Sequence, residues 1–118
     1  MISYCIAVYR PIYARLLIAD LVRKTSTPFE ILVWINVVDP AFETFIEASM
    51  RDGWPLVIVG RTPHNIGMRA YAELFRAARH PLVVQIDDDV LCVSRGIAER
   101  AVCVHVLRTR VERDVADR

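Results

Sequence analysis

Short apolar runs and helical patterns alternate along most of this chain. The apolar runs cover Ser3–Tyr9, Phe29–Ile35, Trp54–Val59 and Leu82–Ile86, and each is almost free of polar residues, as buried β-strands are. A segment with the helical spacing of apolar residues follows each of the first three runs. Strands that are separated by helices pair in parallel, with helices on both faces of the sheet. The pattern therefore predicts a three-layer α/β/α fold with a mostly parallel sheet.

The three predicted helices have identifiable ends. The first runs from Ile12 to Lys24, directly after a proline, which fits the first turn of a helix. The second begins where Asp39 can act as the N-cap and ends at Gly53, and the third spans Met68–Arg79. The residues expected to face the sheet are Ile12, Leu16, Ala19 and Val22, flanked by Leu17 and Leu21, in the first helix; Phe42, Phe45, Ile46, Ser49 and Met50 in the second; and Tyr71, Leu74, Phe75 and Ala78 in the third.

The pattern becomes less regular towards the C-terminus. Ser94 is placed to cap a short helix that reaches Ala101, and Val102–Leu107 is β-branched enough to form a strand. Residues Arg108–Arg118 fit either a charged helix or a frayed tail, so residues 101–118 stay without an assigned element. With 118 residues in total, the chain suits a single domain over residues 1–118.

Composition bounds the classes of function. The hydrophobic content of 54% provides for a substantial core, and the net charge of +1 gives no general attraction to nucleic acids. No apolar run approaches the ~18 residues of a transmembrane segment, and Met1–Tyr13 lacks the features of a signal peptide, so we expect a cytoplasmic protein. The cysteines at 5, 92 and 103 have no CxxC spacing, which favours buried thiols.

The sharpest chemical feature is the triplet Asp87-Asp88-Asp89 directly after the fourth run. Three adjacent carboxylates repel one another and need a cation, hydrogen-bond donors or solvent. Asp87 and Asp89 can converge on one ligand where a strand ends in a turn. Oxygen ligands suit Mg²⁺ or Mn²⁺, and a diphosphate can complete the coordination. The alternative is a solvated acidic turn, which is a common element of loops.

Other polar candidates follow the remaining predicted strands, at the edge of the sheet where α/β folds bind ligands. Asn65 and Gly67 precede the third helix, whose N-terminus favours anions, and Arg69 in its first turn is placed to meet a phosphate. Asn36 is able to hydrogen-bond a base or a ribose, and Tyr9 to stack on a base. Each has a structural alternative as well, a helix cap with a solvated arginine or simple packing.

Together these elements resemble the N-terminal, nucleotide-sugar-binding half of glycosyltransferase family 2 enzymes, which have the GT-A fold. The resemblance covers about residues 3–100 and is carried by Tyr9-Arg10-Pro11, the strand FEILVWIN, the NxG motif before the third helix and the DxD motif in IDDDV. It implies a Rossmann-like GT-A domain. It also implies a nucleotide-diphosphate sugar of the UDP or GDP type as the ligand, and Mn²⁺ or Mg²⁺ as the cofactor.

The resemblance also implies roles for individual residues. Asp89 corresponds to the metal-ligating acid of the DxD motif, Asp87 to the acid nearer the ribose and the metal, and Asp88 to the variable middle position beside the nucleotide. The other positions that line the nucleotide in that family correspond here to Tyr9, Asn36, Asn65, Gly67 and Arg69.

Three departures from the family pattern open alternatives. Arg10-Pro11 replaces the usual asparagine after the tyrosine, and Asn36 replaces the commoner aspartate. No acceptor-binding half or catalytic base is recognisable after the DxD motif, so we expect a truncated domain that transfers a sugar to an acceptor hydroxyl only if an acceptor half completes it. The alternative is an inactive nucleotide-sugar-binding or protein-interaction module, with residues 102–107 as a sheet edge for a homodimer. A receiver-like domain is a third alternative, although in receiver domains the paired acids follow the first strand, whereas here the acids follow the fourth.

Overall fold

The computed structural model describes residues 1–89 and the strand at 105–109. Its elements follow in the order β1 (Ile2–Val8), α1 (Pro11–Lys24), β2 (Phe29–Ile35), α2 (Pro40–Arg51), β3 (Leu56–Arg61), α3 (Met68–Ala77), β4 (Leu82–Asp87) and β5 (His105–Thr109). The predicted helix at 94–101, the tail beyond 109, Cys92 and Cys103 lie outside these residues. Among the described helices, none has the length and apolar character needed to cross a membrane.

The sheet has the strand order β3-β2-β1-β4-β5. Strands β1 to β4 pair with one another in parallel, and β5 pairs antiparallel with β4. This mostly parallel sheet confirms the predicted fold class. The order differs from the 2-1-3-4-5 order of receiver domains, which removes that alternative. The order of the strands across the sheet reverses between β1 and β4, and open α/β sheets bind ligands at such a switch point.

Two apolar clusters cover the two faces of the sheet, which makes the fold three-layered. The larger joins Leu17 and Leu21 of α1 and Ile46 of α2 to inward residues of β1, β2 and β4. The smaller joins Tyr71 and Leu74 of α3 to the opposite face. Because α3 lies on the other face from α1 and α2, the connection from β3 returns across the sheet and brings β4 next to β1.

The inward face of α1 differs from the predicted one. Ile12 and Leu16 are 75% and 53% exposed, whereas the buried residues are Ala14, Leu17, Ile18 and Leu21. Both sets have helical spacing, because apolar residues surround most of this helix. Periodicity alone therefore could not decide which set packs on the sheet.

Strand β3 begins and ends two residues later than predicted. The predicted run stops at Val59, but Gly60 lies inside the strand opposite Trp34, at a shift in the pairing register. A Cβ atom at this position would lie only 2.4 Å from Cζ3 of Trp34, so glycine makes room for the indole. Two smaller differences are that Met50 is 42% exposed and that α3 ends at Ala77.

Several local predictions are confirmed. Strand β2 has the predicted bounds, and Asp39 caps α2 by accepting a hydrogen bond from the backbone N–H of Phe42 at 2.9 Å. A further strand lies at 105–109, within the region that the sequence pattern left without an assigned element. Cys5 is buried in the sheet, as expected for a core thiol.

A buried polar network ties the strands together at the amino end of the sheet. Glu30 is 2% exposed and accepts hydrogen bonds from Ser3 Oγ at 2.7 Å and from the backbone N–H and Nε of Arg79 at 2.9 and 3.0 Å. Burial raises the pKa of the Glu30 carboxyl, but these hydrogen bonds and the charge of Arg79 outweigh it and hold the pKa below the ordinary 4.5. The network connects β1, β2 and the turn before β4.

Candidate functional site

The carboxyl ends of β1, β2 and β4 meet at one edge of the sheet. The register pairs Ala7 with Asp87 and Val8 with Ile35, so the residues that follow each strand are neighbours. A cavity of about 380 Å³ opens there. It is lined by all of the predicted site residues except Arg69, namely Tyr9, Asn36, Asn65, Gly67, Asp87, Asp88 and Asp89.

Asp88 has a different environment from its two neighbours. Asp87 and Asp89 are exposed, but Asp88 is 4% exposed. Its Oδ2 accepts hydrogen bonds from the backbone N–H groups of Tyr9 and Arg10 at 2.7 and 2.5 Å. These donors lie immediately before α1, a helix with no side-chain cap of its own, so the carboxylate also faces the positive end of the helix dipole. Asp88 thus fastens the β1–α1 turn to the end of β4.

Arg10 adds a cation to this cluster. Its Nη1 lies 3.1 Å from Oδ1 of Asp88 and 3.5 Å from Oδ2 of Asp89. The guanidinium therefore offsets part of the charge of the acidic triplet, which explains how three consecutive carboxylates are accommodated. From the sequence, Arg10 is identified only as a residue at which this chain departs from the family pattern.

The exposed carboxylates provide the oxygen ligands that a divalent metal needs. Among residues 1–89 and 105–109, no three acidic, histidine or cysteine side chains form a metal-binding group. Asp87 and Asp89 are two accessible carboxylates, whereas Asp88 is engaged by backbone donors. Mg²⁺ and similar hard cations are commonly held by one or two carboxylates together with phosphate oxygens of a ligand. The donor set therefore fits a metal that binds together with a diphosphate.

Asn36 forms part of the cavity wall and has a fixed amide orientation. The indole N–H of Trp34 donates to Thr62 Oγ1 at 3.1 Å, and the Thr62 hydroxyl donates to Oδ1 of Asn36 at 2.9 Å. The backbone N–H of Ile66 also points to this oxygen, at 3.4 Å. Because Oδ1 faces these donors, the side-chain NH₂ group of Asn36 is left to face other partners. Asn36 is 1% exposed, so this NH₂ group is buried at the cavity wall.

Asn65 and Gly67 form a tight turn in the loop before α3. Gly67 adopts φ +63°, which glycine tolerates best, and its N–H donates to Oδ1 of Asn65 at 2.8 Å. The turn brings Asn65 and Gly67 to the cavity at the start of α3. Tyr9, on the opposite side, is 50% exposed, so its ring is available for stacking.

Arg69 lies outside this cavity. It lines a neighbouring groove of about 420 Å³ together with Trp34, His64 and Glu73. The structure therefore does not bring Arg69 together with the other candidate residues. A further groove of about 470 Å³, lined by Val38, Arg61 and others, lies beside the start of α2 and contains none of the predicted site residues.

Tyr71 is a cavity residue that sequence analysis placed only in the core. It lines the cavity floor, is 6% exposed, and donates its hydroxyl proton to the carbonyl of Ile86 at 2.9 Å. Burial raises the pKa of Tyr71 to about 12, and the charges of Asp87 and Asp88 act in the same direction. Tyr71 is therefore a neutral hydrogen-bond donor. Its position four residues after Gly67, one helical turn into α3, is the signal that could have identified it.

Comparison with known proteins identifies the fold. No protein-family model matches this chain, and no curated protein sequence matches it. Solved structures do match. A mannosyltransferase from Pyrobaculum calidifontis, PcManGT, in complex with GDP-Man and Mn²⁺, has a TM-score of 0.71 at 18% identity, over 86% of this chain and 31% of that chain. TarS 1-349 of S. aureus in complex with UDP-GlcNAc has a TM-score of 0.69 at 18% identity, over 85% of this chain and 29% of that one.

These similarities show that the described part of the chain has the GT-A fold of glycosyltransferases, as the sequence resemblance implied. The match is to a part of those proteins, because the chain spans only about a third of the length of the neighbours that it matches.

Proposed function

We propose that this domain binds a nucleotide-diphosphate sugar, of the UDP or GDP type, together with Mn²⁺ or Mg²⁺. The observation that carries the proposal is that the three carboxylates of the acidic triplet have different environments. Asp88 accepts hydrogen bonds from the β1–α1 turn, whereas Asp87 and Asp89 stay accessible at the mouth of the cavity. PcManGT, which has the same fold, is a mannosyltransferase in complex with GDP-Man and Mn²⁺.

The remaining cavity residues suit the other parts of such a ligand. The exposed ring of Tyr9 offers a stacking surface for a base, and the amide of Asn36 offers a buried donor to a base or a ribose. Asn65 and Gly67 bring the N-terminus of α3 to the cavity, where a helix favours an anion. Tyr71 stays a neutral donor beneath the acids and does not add charge to the site.

The reaction that this arrangement supports is the transfer of a sugar from a nucleotide diphosphate to an acceptor hydroxyl. Asp87 and Asp89 would hold a divalent metal, which would supply positive charge for the departing nucleoside diphosphate. The cavity residues of this chain hold and orient the donor. The transfer takes place only if an acceptor half completes the domain and supplies the acceptor site and the general base that deprotonates the acceptor hydroxyl.

Titration calorimetry tests this proposal. We expect UDP or GDP to bind more tightly with Mn²⁺ than with EDTA, and Asp89→Asn and Asp87→Asn to weaken the metal-dependent binding about tenfold or more. Asp52→Asn provides a matched control, because Asp52 is an exposed acid at the end of α2. Equal nucleotide affinity with and without metal in the wild-type protein would sink the proposal.

An assembly role is the second candidate, and the position of β5 favours it. This strand is at the edge of the sheet, with β4 as its one neighbour among the described strands. Exposed strand edges can pair with another chain. Under this hypothesis the protein is a homodimer in light scattering at micromolar concentration and fails to bind sugar nucleotides, whereas a monomer that binds them contradicts it.

A further inference from the structure

Arg10 bridges one buried and one accessible carboxylate in the proposed site. Its guanidinium side chain is 53% exposed, as compared with 5% for Asp88 and 48% for Asp89. Asp89 is one of the two carboxylates proposed to hold the metal. The positive charge of Arg10 therefore lies at the place where a divalent cation would have to approach.

The two contacts of Arg10 differ in strength. The contact with Asp88 is a charge-assisted hydrogen bond at 3.1 Å to a carboxylate that two backbone N–H groups already hold in place. The contact with Asp89 is longer, at 3.5 Å, and joins two half-exposed groups, which is the kind of ion pair that contributes little. Arg10 is thus held firmly by Asp88, whereas its weaker contact with Asp89 is readily replaced by another partner.

This asymmetry has opposite consequences for a cation and for an anion. A divalent cation at Asp89 has to displace Arg10 and then lies close to a like charge, which disfavours its binding. A diphosphate in the same cavity gains a planar guanidinium, whose forked N–H donors match phosphate oxygens. The backbone anchor of the turn does not depend on the Arg10 side chain, because its donors are main-chain N–H groups.

We propose that Arg10 is a built-in counter-cation of the acidic triplet: it opposes metal binding when no nucleotide is present and contacts the diphosphate when one is bound. The inference rests on the proposed function, since it concerns the same cavity. It adds a phosphate-binding role for a residue at which this chain departs from the usual family pattern. Part of the charge neutralisation of the diphosphate then comes from the protein itself.

The test compares wild type with Arg10→Gln and Arg10→Lys in two calorimetric titrations. With Mn²⁺ alone, Arg10→Gln binds the metal about two- to fivefold more tightly than wild type, because the competing charge is gone. With UDP or GDP in EDTA, the same variant binds about tenfold more weakly. Arg10→Lys keeps the charge and so keeps the wild-type Mn²⁺ affinity, but it loses the fork and binds the nucleotide less tightly than wild type.

Arg51→Gln is the matched control, because it removes the same charge from an exposed position at the end of α2 and leaves both affinities unchanged. Thermal unfolding of each variant checks that the fold is intact. The proposal is overturned if Arg10→Gln weakens Mn²⁺ binding or leaves it unchanged, or if the nucleotide affinity in EDTA does not fall. In those cases a wild-type protein that binds both ligands still supports the proposed function, whereas one that binds neither overturns both proposals.

Discussion

At the scale of single residues, Asp88 connects two walls of the cavity that are far apart in the chain. Asp87 is the last residue of β4, and in the turn that follows it Asp88 is buried, whereas Asp87 and Asp89 are exposed. Three identical letters in a sequence do not reveal this difference, because it depends on the turn after β4 and on backbone donors from Tyr9 and Arg10, which are distant in the chain.

Replacing Asp88 should destabilise the protein more than replacing its neighbour. Asp88→Ala removes the acceptor of two backbone N–H groups, at Tyr9 and Arg10, and we expect the free energy of unfolding to fall by about 1–3 kcal/mol. Asp89→Ala, at an exposed position, should change it by no more than about 0.5 kcal/mol. Urea unfolding measures both values, and equal losses for the two variants would contradict the anchoring role of Asp88.

Glu30 should make stability dependent on pH in the acid range. Its pKa is lowered in the folded protein, so the unfolded state binds more protons there, and the free energy of unfolding rises with pH. The contribution is complete above the ordinary pKa of 4.5 and is lost as pH falls through the folded-state pKa.

Glu30→Gln is therefore expected to lower stability at neutral pH by about 1–3 kcal/mol and to flatten its pH dependence below pH 4.5. Unfolding curves from neutral to acid pH measure both effects. The exposed Glu47→Gln is the control and should retain the wild-type pH dependence. A Glu30→Gln protein with the same acid slope as wild type would falsify the assignment.

At the scale of elements, helix α1 is apolar on both its inner and its outer side. Leu17 and Leu21 pack on the sheet, while Ile12 and Leu16 face outwards. Helices and strands were predictable wherever one face was clearly apolar, as in α2, or where a run was short and continuous, as in β2. The orientation of α1 was not predictable, because this helix has two equally apolar stripes and the sequence alone does not decide which of them packs on the sheet.

Adjacent leucines of α1 provide a direct test of this orientation. Leu17→Ala creates a cavity in the core and should cost about 2–5 kcal/mol, whereas Leu16→Ala removes a half-exposed side chain and should cost less than about 1 kcal/mol. Both substitutions have the same chemistry and nearly the same helix propensity, so that only burial separates them. Urea unfolding that finds Leu16→Ala the costlier change would restore the orientation expected from the sequence.

At the scale of the whole molecule, the order of the strands in the sheet brings the site residues together. The sequence predicts that polar loops follow each strand and that these loops share one edge of the sheet. It does not predict that β4 lies beside β1, which is the step that brings Asp88 to Tyr9 and Arg10. Strand β4 lies beside β1 because the chain returns across the sheet through α3. Arg69, the second residue of α3, lines the neighbouring groove and not the cavity.

The hydrogen-bonded chain from Trp34 through Thr62 to Asn36 has a consequence for how the protein can be observed. Indole emission is sensitive to the polarity and hydrogen bonding of its surroundings, and this indole is one hydroxyl away from the cavity wall. The chain has two tryptophans, and the other, Trp54, packs against Phe45 away from the cavity. In a Trp54→Phe background the protein therefore contains a single tryptophan, one hydroxyl away from the cavity wall, and ligand entry can be followed through its emission without any attached dye.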